Sequence, residues 1–429
     1  MYIHKYEIIY NCALVFVSTL LFYMCNSFSG MFFCTISLLL FIVMINFCLR
    51  KIKLISINSI FIISILYYYV NELFGYMILE NQILFDKSYI DASRIIGLAS
   101  IIVLCGFFLG KTKEIDGKKS DEIQISDGFV KIVFILFIIY LCVSIETIYK
   151  FILMGREVSD GFTNKNYIKT MIHVTVYILP VFFWFMYKNK VINNAMFICI
   201  VLFVIISEFC SGTRFNIVFS MFPIILLYLE DKKLNIKRIS ITIFIVFIFF
   251  ILSNFMLLLR GDGWVNTTTT SFSFKFHSEG LIYYLAGIIR YYNLNEHSYY
   301  PVETIMSLIM FIPRLLWPEK IVQIDRWILH TGIFNTTFAD NHSGSSSFVG
   351  PFYADFGYLS YFILFILAVI CKYFSIKLEA NGHKLTISGI TGLILYPSVF
   401  FGYRSFSTSF FYFIFTILLL HIVKFLSKR

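Results

Sequence analysis

Long apolar runs separated by short polar connections divide the whole chain, and that pattern alone predicts its architecture. A helix that crosses about 30 Å of hydrocarbon needs about 20 mostly apolar residues. Such runs cover 8–25, 31–49, 54–79, 94–110, 129–150, 170–187, 191–209, 215–229, 239–259, 357–374, 385–403 and 406–426. The expected fold is an all-α polytopic membrane protein with about twelve transmembrane helices. Helices 1–9 fall within 1–259, a large extracytoplasmic loop spans 260–356, and helices 10–12 fall within 357–429. Pro223 and Pro397 lie inside two of the runs. Neighbouring helices can satisfy the backbone groups that such residues free, so both runs stay in the count.

Lys and Arg fall in alternate connections, and the side that retains them is the cytoplasmic one. The basic connections are Arg50-Lys51-Ile52-Lys53, Lys111 to Lys119, Lys188 with Lys190, the group Lys232, Lys233, Lys237 and Arg238, and Lys372 with Lys377 and Lys384. The series ends at Lys424, Lys428 and Arg429, whereas the turn at 26–30 has no basic residue. The pattern places both termini in the cytoplasm. The first run has a barely basic flank and no small-residue cleavage site after it, so it is expected to remain as a helix.

Composition agrees with this reading. The chain is 59% hydrophobic and 14% charged, against about 25% charged in soluble domains. That excludes a string of soluble domains and a disordered scaffold. The net charge of +10 sits in the cytoplasmic connections, while 260–356 is slightly acidic. The excess is topology and attraction to anionic membrane lipids, and no nucleic-acid partner is expected. The cysteines lie in or beside apolar runs without a Cys-x-x-Cys pair, as small hydrophobes do.

The connection over 260–356 differs from the others. Helix connections in compact domains commonly have about 2–8 residues, and a passive linker of this length would be rich in Gly and Ser and poor in aromatics. This one contains Trp264, Trp317 and Trp327, four histidines and four prolines, so it should be folded. Residues 301–316 and 278–292 read as interfacial or re-entrant helices, with Tyr283, Tyr284, Tyr291 and Tyr292 suited to the headgroup level.

The charges point to one side. Glu72, Glu146 and Glu208 fall in the outer third of their helices, and no acid or base lies at the membrane midplane, where a proton-driven transporter keeps one. Arg214 follows Ser211-Gly212-Thr213 and Arg404 follows Gly402-Tyr403, each at the outer start of an inward-running helix. Backbone N–H groups at a helix start favour an anion, and a guanidinium offers a fork that fits phosphate oxygens. Interfacial arginines that snorkel to the headgroups are the structural alternative. Arg260 and Arg314 are further outer arginines, the latter in Ile312-Pro313-Arg314-Leu315-Leu316-Trp317-Pro318-Glu319-Lys320. His277, Glu279 and His342 are candidate proton acceptors, with surface hydrogen bonding as the alternative for each. No Asp-x-Asp motif, P-loop or Gly-x-Ser-x-Gly elbow occurs on the outer side.

The turn before Arg214, the run from Ile312 to Lys320, and Ser345-Ser346 followed by Gly350-x-x-Tyr353-x-x-Phe356-Gly357 together resemble bacterial oligosaccharide repeat-unit polymerases. These O-antigen or capsule polymerases are related to the O-antigen ligases. The Arg-x10-Gly pattern of some relatives is absent. The resemblance implies a metal-independent glycosyltransferase without a cofactor, in the bacterial inner membrane with its site facing the periplasm. Undecaprenyl-pyrophosphate-linked oligosaccharide would be both donor and acceptor, and a chain-length regulator and a flippase are the candidate partners.

The residues fit such chemistry independently. Outside the cytoplasm there is no nucleotide sugar, so the donor brings its own leaving group. A departing pyrophosphate gathers negative charge that preorganised cations stabilise, and the acceptor hydroxyl needs a base within hydrogen-bond reach. Arg214 and Arg314 are expected to grip the pyrophosphate, with Arg404 or Arg260 assisting. His342 and Glu279, then His277, are the candidate bases. A flippase would need a polar central cavity and has little use for so large an outer loop. A ligase shares the donor and differs in the acceptor, and the Pro-Arg to Trp-Pro run favours the polymerase.

Overall fold

The computed structural model describes residues 5–48, 56–79, 87–109, 123–154, 172, 175–210, 214–230, 280–294, 301–309, 347–379 and 385–427. In chain order the α-helices are α1 (Lys5–Met24), α2 (Phe28–Cys48), α3 (Ile57–Ser64), α4 (Asn71–Leu79), α5 (Lys87–Phe108), α6 (Asp127–Met154), α7 (Leu179–Lys188) and α8 (Asn194–Cys210). They continue with α9 (Arg214–Glu230), α10 (Leu281–Leu294), α11 (Val302–Ile309), α12 (Gly350–Phe356), α13 (Ser360–Glu379), α14 (Ile387–Gly402) and α15 (Phe406–Ser427). No strand occurs among the described residues. Helix occurs in the described part of every predicted run except 239–259, which lies outside the described residues; of 170–187 that part is residue 172 with 175–187.

Six helical stretches are long and apolar enough to cross a membrane: Glu7–Met24, Phe28–Asn46, Ile57–Ile78, Lys87–Phe108, Asp127–Tyr149 and Gly350–Ile376. Large apolar side chains on them point outward, among them Phe16, Phe33, Leu40, Met44, Ile138 and Phe362. Exposed apolar patches on this scale have no place in water. Facing lipid, they are in their own solvent. The chain is an all-α, membrane-embedded protein. Cys12, Cys142 and Cys199 are also exposed on their helices, so an apolar cysteine here faces outward as readily as inward.

The chain forms two compact units. The first comprises residues 1–115, 271–377 and 399–411, and the second 116–270, 378–398 and 412–429. In the first unit α5 is the central helix, buried along most of its length. Gly106 of α5 lies against α13, where a Cβ would stand 2.8 Å from Ala368 Cβ and 3.1 Å from the Phe365 carbonyl oxygen. Small residues let membrane helices approach this closely. Gly106→Ala is therefore expected to cost about 1–3 kcal/mol through overpacking, measured as a lower unfolding temperature of the purified protein; an unchanged temperature would show that the two helices separate freely.

Between α3 and α4 the backbone widens into a π-helical turn over Ile65–Val70. The Asn71 N–H reaches back to the carbonyl of Leu66, five residues earlier. Such turns commonly mark functional positions, and this one presents Tyr67, Tyr68 and Tyr69 in succession. The Tyr69 hydroxyl donates to the Ser93 carbonyl at 2.7 Å. Lys372 belongs inside α13 and not to a basic connection. It is 7% exposed, and its Nζ donates to Asn58 Oδ1 at 3.3 Å.

In the second unit Glu208, near the end of α8, is fully buried and accepts a 2.7 Å bond from the Tyr140 hydroxyl of α6. The rings of Tyr177, Phe219 and Tyr412 pack together in this unit, with centroids 4.8 to 5.8 Å apart.

Candidate functional site

Two buried carboxylates of the first unit hold helices of the 260–356 segment. Glu72, 1% exposed, sits at the start of α4. Its Oε2 accepts from the Leu281 N–H and its Oε1 from the Ile282 N–H, both at 3.0 Å. Asp355 of α12, 2% exposed, accepts from Glu303 N–H at 2.9 Å through Oδ1 and from Thr304 N–H at 2.6 Å through Oδ2. The first N–H groups of a helix have no partner within it, and the helix dipole makes that end favourable for a negative charge. Each carboxylate therefore caps, from a distant part of the chain, a helix whose own sequence supplies no such cap.

Helix α10 is thereby set into the unit. Leu281, Ile282, Leu285, Ala286 and Ile288 are each fully buried. Arg290 Nε donates to Ser88 Oγ at 2.9 Å, and its guanidinium lies over the Tyr89 ring, 5.2 Å from the centroid. Expected at the headgroup level, Tyr284 is buried instead, while Tyr283, Tyr291 and Tyr292 are half-buried. The apolar side of α10 is turned to protein because the Glu72 cap fixes its start beside α5. Burial pushes the Tyr283 hydroxyl up to about 12, with Tyr89 adding to the rise and Arg290 opposing it. Burial and the charges of Glu303 and Asp355 likewise raise Tyr292.

A second arrangement centres on Tyr403, at the turn between α14 and α15. Its carbonyl accepts from the Phe348 N–H at 3.0 Å and from Ser347 Oγ at 3.2 Å. Its hydroxyl lies 2.7 Å from Ser100 Oγ. Ser100 already gives its one hydrogen to the Ile96 carbonyl, so the tyrosine is the donor. The rings of Phe61, Tyr68 and Phe348 surround it at centroid distances of 5.6, 6.0 and 5.0 Å. Ser347 adopts a φ of +69°, a strained conformation for a residue other than glycine, offset here by its bond to Tyr403. The next residue, Arg404, is half-buried, and its N–H bonds to the Phe401 carbonyl at 3.0 Å.

Of the residues singled out in the sequence, Arg404 is thus held on the Ser347–Gly350 segment that closes the large loop. Arg214 opens α9 as expected, within the second unit; only its backbone is described. Arg260, Arg314, His277, Glu279 and His342 lie outside the described residues. Sequence reasoning passed over Asp355 and Tyr403 as functional positions. Asp355 carries one available signal, as a lone acid in an apolar stretch just ahead of Phe356-Gly357.

No family model matches this chain, and no curated protein or solved structure is similar enough to count as a match.

Proposed function

We propose that the chain is an oligosaccharide repeat-unit polymerase of the bacterial inner membrane, with about twelve spans, both termini in the cytoplasm and its site on the periplasmic side. The observation that carries this reading is the lock of Ser347 and Phe348 onto the Tyr403 carbonyl, because it ties the end of the large loop to the turn bearing Arg404. His342 stands five residues before Ser347, and five residues span at most about 18 Å. The turn bearing the candidate phosphate-binding arginine is thereby tied to the segment that follows the candidate base in the chain.

In the reaction the terminal hydroxyl of one lipid-linked repeat unit attacks the anomeric carbon of another. His342 or Glu279, with His277 as the further candidate, takes the hydroxyl proton. The bond from the anomeric carbon to the pyrophosphate oxygen breaks, and undecaprenyl pyrophosphate departs as an anion. The cations proposed for the charge on that leaving group are those singled out in the sequence, Arg214 and Arg314 with Arg404 or Arg260 assisting. Glu72 and Asp355 have a different part: each is spent on a helix start, and so positions the loop without exchanging a proton.

The test is a gel of surface glycan from cells lacking the protein. A ladder that collapses to core plus a single repeat unit is expected. Loss of every repeat unit would point instead to a ligase or a flippase, which the leaflet holding the stranded lipid-linked glycan separates. An unchanged ladder would sink the reading.

A further inference from the structure

Besides the two anchors, one end of the first unit gathers a set of side chains with no part in holding the loop. Tyr23 comes from the end of α1, Asp91 and Arg94 from α5, Tyr353 from α12, and Tyr358 from the 3-10 turn that follows it. The Tyr353 and Tyr358 rings are 5.8 Å apart, and Tyr23 stands near Tyr358. The Tyr361 ring centroid lies 6.2 Å from that of Tyr358. Tyr23 is 53% and Tyr358 60% exposed, so the rest of the unit leaves much of each side chain uncovered.

Arg94 fixes the floor of this group. Its Nε and Nη2 donate to the Cys25 carbonyl, Nη2 also to Asn26 Oδ1, and Nη1 to Asp91 Oδ1 at 2.9 Å. Its guanidinium also lies 5.9 Å from the Tyr23 ring centroid. A guanidinium has five N–H donors, and four are engaged. The ion pair leaves no net charge, and the arginine has no fork to offer a phosphate. Asp91 keeps a second oxygen, and its side chain is 32% exposed.

We propose that this group binds a neutral saccharide, with Tyr23 and Tyr358 against the apolar ring face and Asp91 with the tyrosine hydroxyls on the sugar hydroxyls. Open aromatic faces suit the C–H side of a pyranose, and a rigid carboxylate beside phenols suits its polar edge. Tyrosines of a membrane-interface belt reach the headgroups singly. These come from separate elements and gather beside a compensated acid–arginine pair. The position also suits a substrate of the large loop, since Asp355, two residues after Tyr353 in α12, holds α11 from the opposite side of that helix. On the polymerase reading, on which this assignment of the ligand rests, the sugar is the non-reducing end of the acceptor.

The experiment uses the full chain in phosphatidylcholine nanodiscs, titrated with the lipid-free repeat-unit oligosaccharide of the producing cell and followed by saturation-transfer NMR. Tyr358→Ala and Asp91→Asn are each expected to weaken binding by roughly tenfold or more through lost contacts to the sugar. Tyr358→Phe, which keeps the ring, should weaken it less. Absence of binding to the wild type, or equal binding to wild type and Tyr358→Ala, overturns the site. So does a Tyr358→Ala effect confined to phosphatidylglycerol vesicles, which would make the group a headgroup surface. Saccharide binding that depends on Tyr358, in a protein whose deletion leaves the surface ladder intact, keeps the site and removes the polymerase.

Discussion

Glu72→Gln is expected to lower the stability of the purified protein by about 2–4 kcal/mol, on the scale of the charge-assisted hydrogen bonds it breaks. The substitution keeps the shape of the side chain, so packing around α4 should not change. Both carboxylate oxygens, however, take an N–H from the start of α10. An amide has one oxygen to offer, and its NH2 end is turned toward the second N–H donor. The loss of charge also removes the favourable interaction with the helix dipole. A fall in unfolding temperature, together with faster proteolysis between residues 260 and 356, is the expected readout. Glu72→Asp keeps the charge but shortens the reach, and should fall between wild type and Gln. Should Glu72→Gln unfold and resist protease like the wild type, α10 is held by its apolar contacts alone and the anchor has no energetic weight.

The same device recurs at Asp355 and α11, which says how this fold handles a large loop beside a membrane. Short helices are marginal alone because their nucleation is costly, and an eight-residue helix such as α11 has almost no intrinsic stability. Joining its first N–H groups to a carboxylate of the bundle supplies both an acceptor and a fixed direction. Burial of a charge is costly unless it is hydrogen-bonded, and each of these carboxylates has a helix start for that purpose. In a transporter, buried acids near the ends of spans would be candidates for proton binding. Here Glu72 and Asp355 are committed to backbone.

How much of this is legible in sequence follows from the distance over which each cause acts. A spanning helix depends on local composition, so the apolar runs found α1, α2 and α6 within about four residues and α5 with its start seven residues late, and helix also stands at 194–210, 214–230 and 406–427 where it was expected. The turn ahead of α15 was equally visible, because Gly402 and Ser405 punctuate an apolar stretch. The anchors were not. Glu72 and Leu281 are 209 positions apart, and no local pattern links a glutamate in a span to a helix start in a loop. Sequence marked Glu72 as costly and outward-lying but could not say what would compensate it. The π turn at 65–70 and the break at Gly357, with φ +53° and ψ −133°, follow from packing, and neither interrupts the apolar pattern. Lys372 misled because a lysine ahead of polar residues counts as loop, whereas Asn58 lets this one remain inside the unit. For the candidate site, the Gly-x-Arg pattern singled out the turn at Arg404 while giving no sign that Tyr403 is the residue that fixes that turn.

On the proposed polymerase reading, Arg404→Lys is expected to cut polymer formation by about 10²–10³-fold, the usual cost of losing one preorganised donor at a developing negative charge. Lysine keeps the positive charge and most of the length. It loses the planar fork that holds two phosphate oxygens at once. The turn itself should persist, since Phe348 and Ser347 bond to the Tyr403 carbonyl and Tyr403 is locked by Ser100 and its ring neighbours, none of which involves the arginine side chain. Unfolding temperature and membrane level should therefore match the wild type while the surface ladder shortens to single repeat units and lipid-linked glycan accumulates. Tyr403→Ala is the contrasting case. It removes the ring from a packed site and should lower stability by about 3–5 kcal/mol, as large aromatic truncations do, with activity falling because the turn moves. A normal ladder in Arg404→Lys at normal protein level would show that the guanidinium does not meet the leaving group, and the pyrophosphate would then have to be held by arginines of the large loop or the second unit.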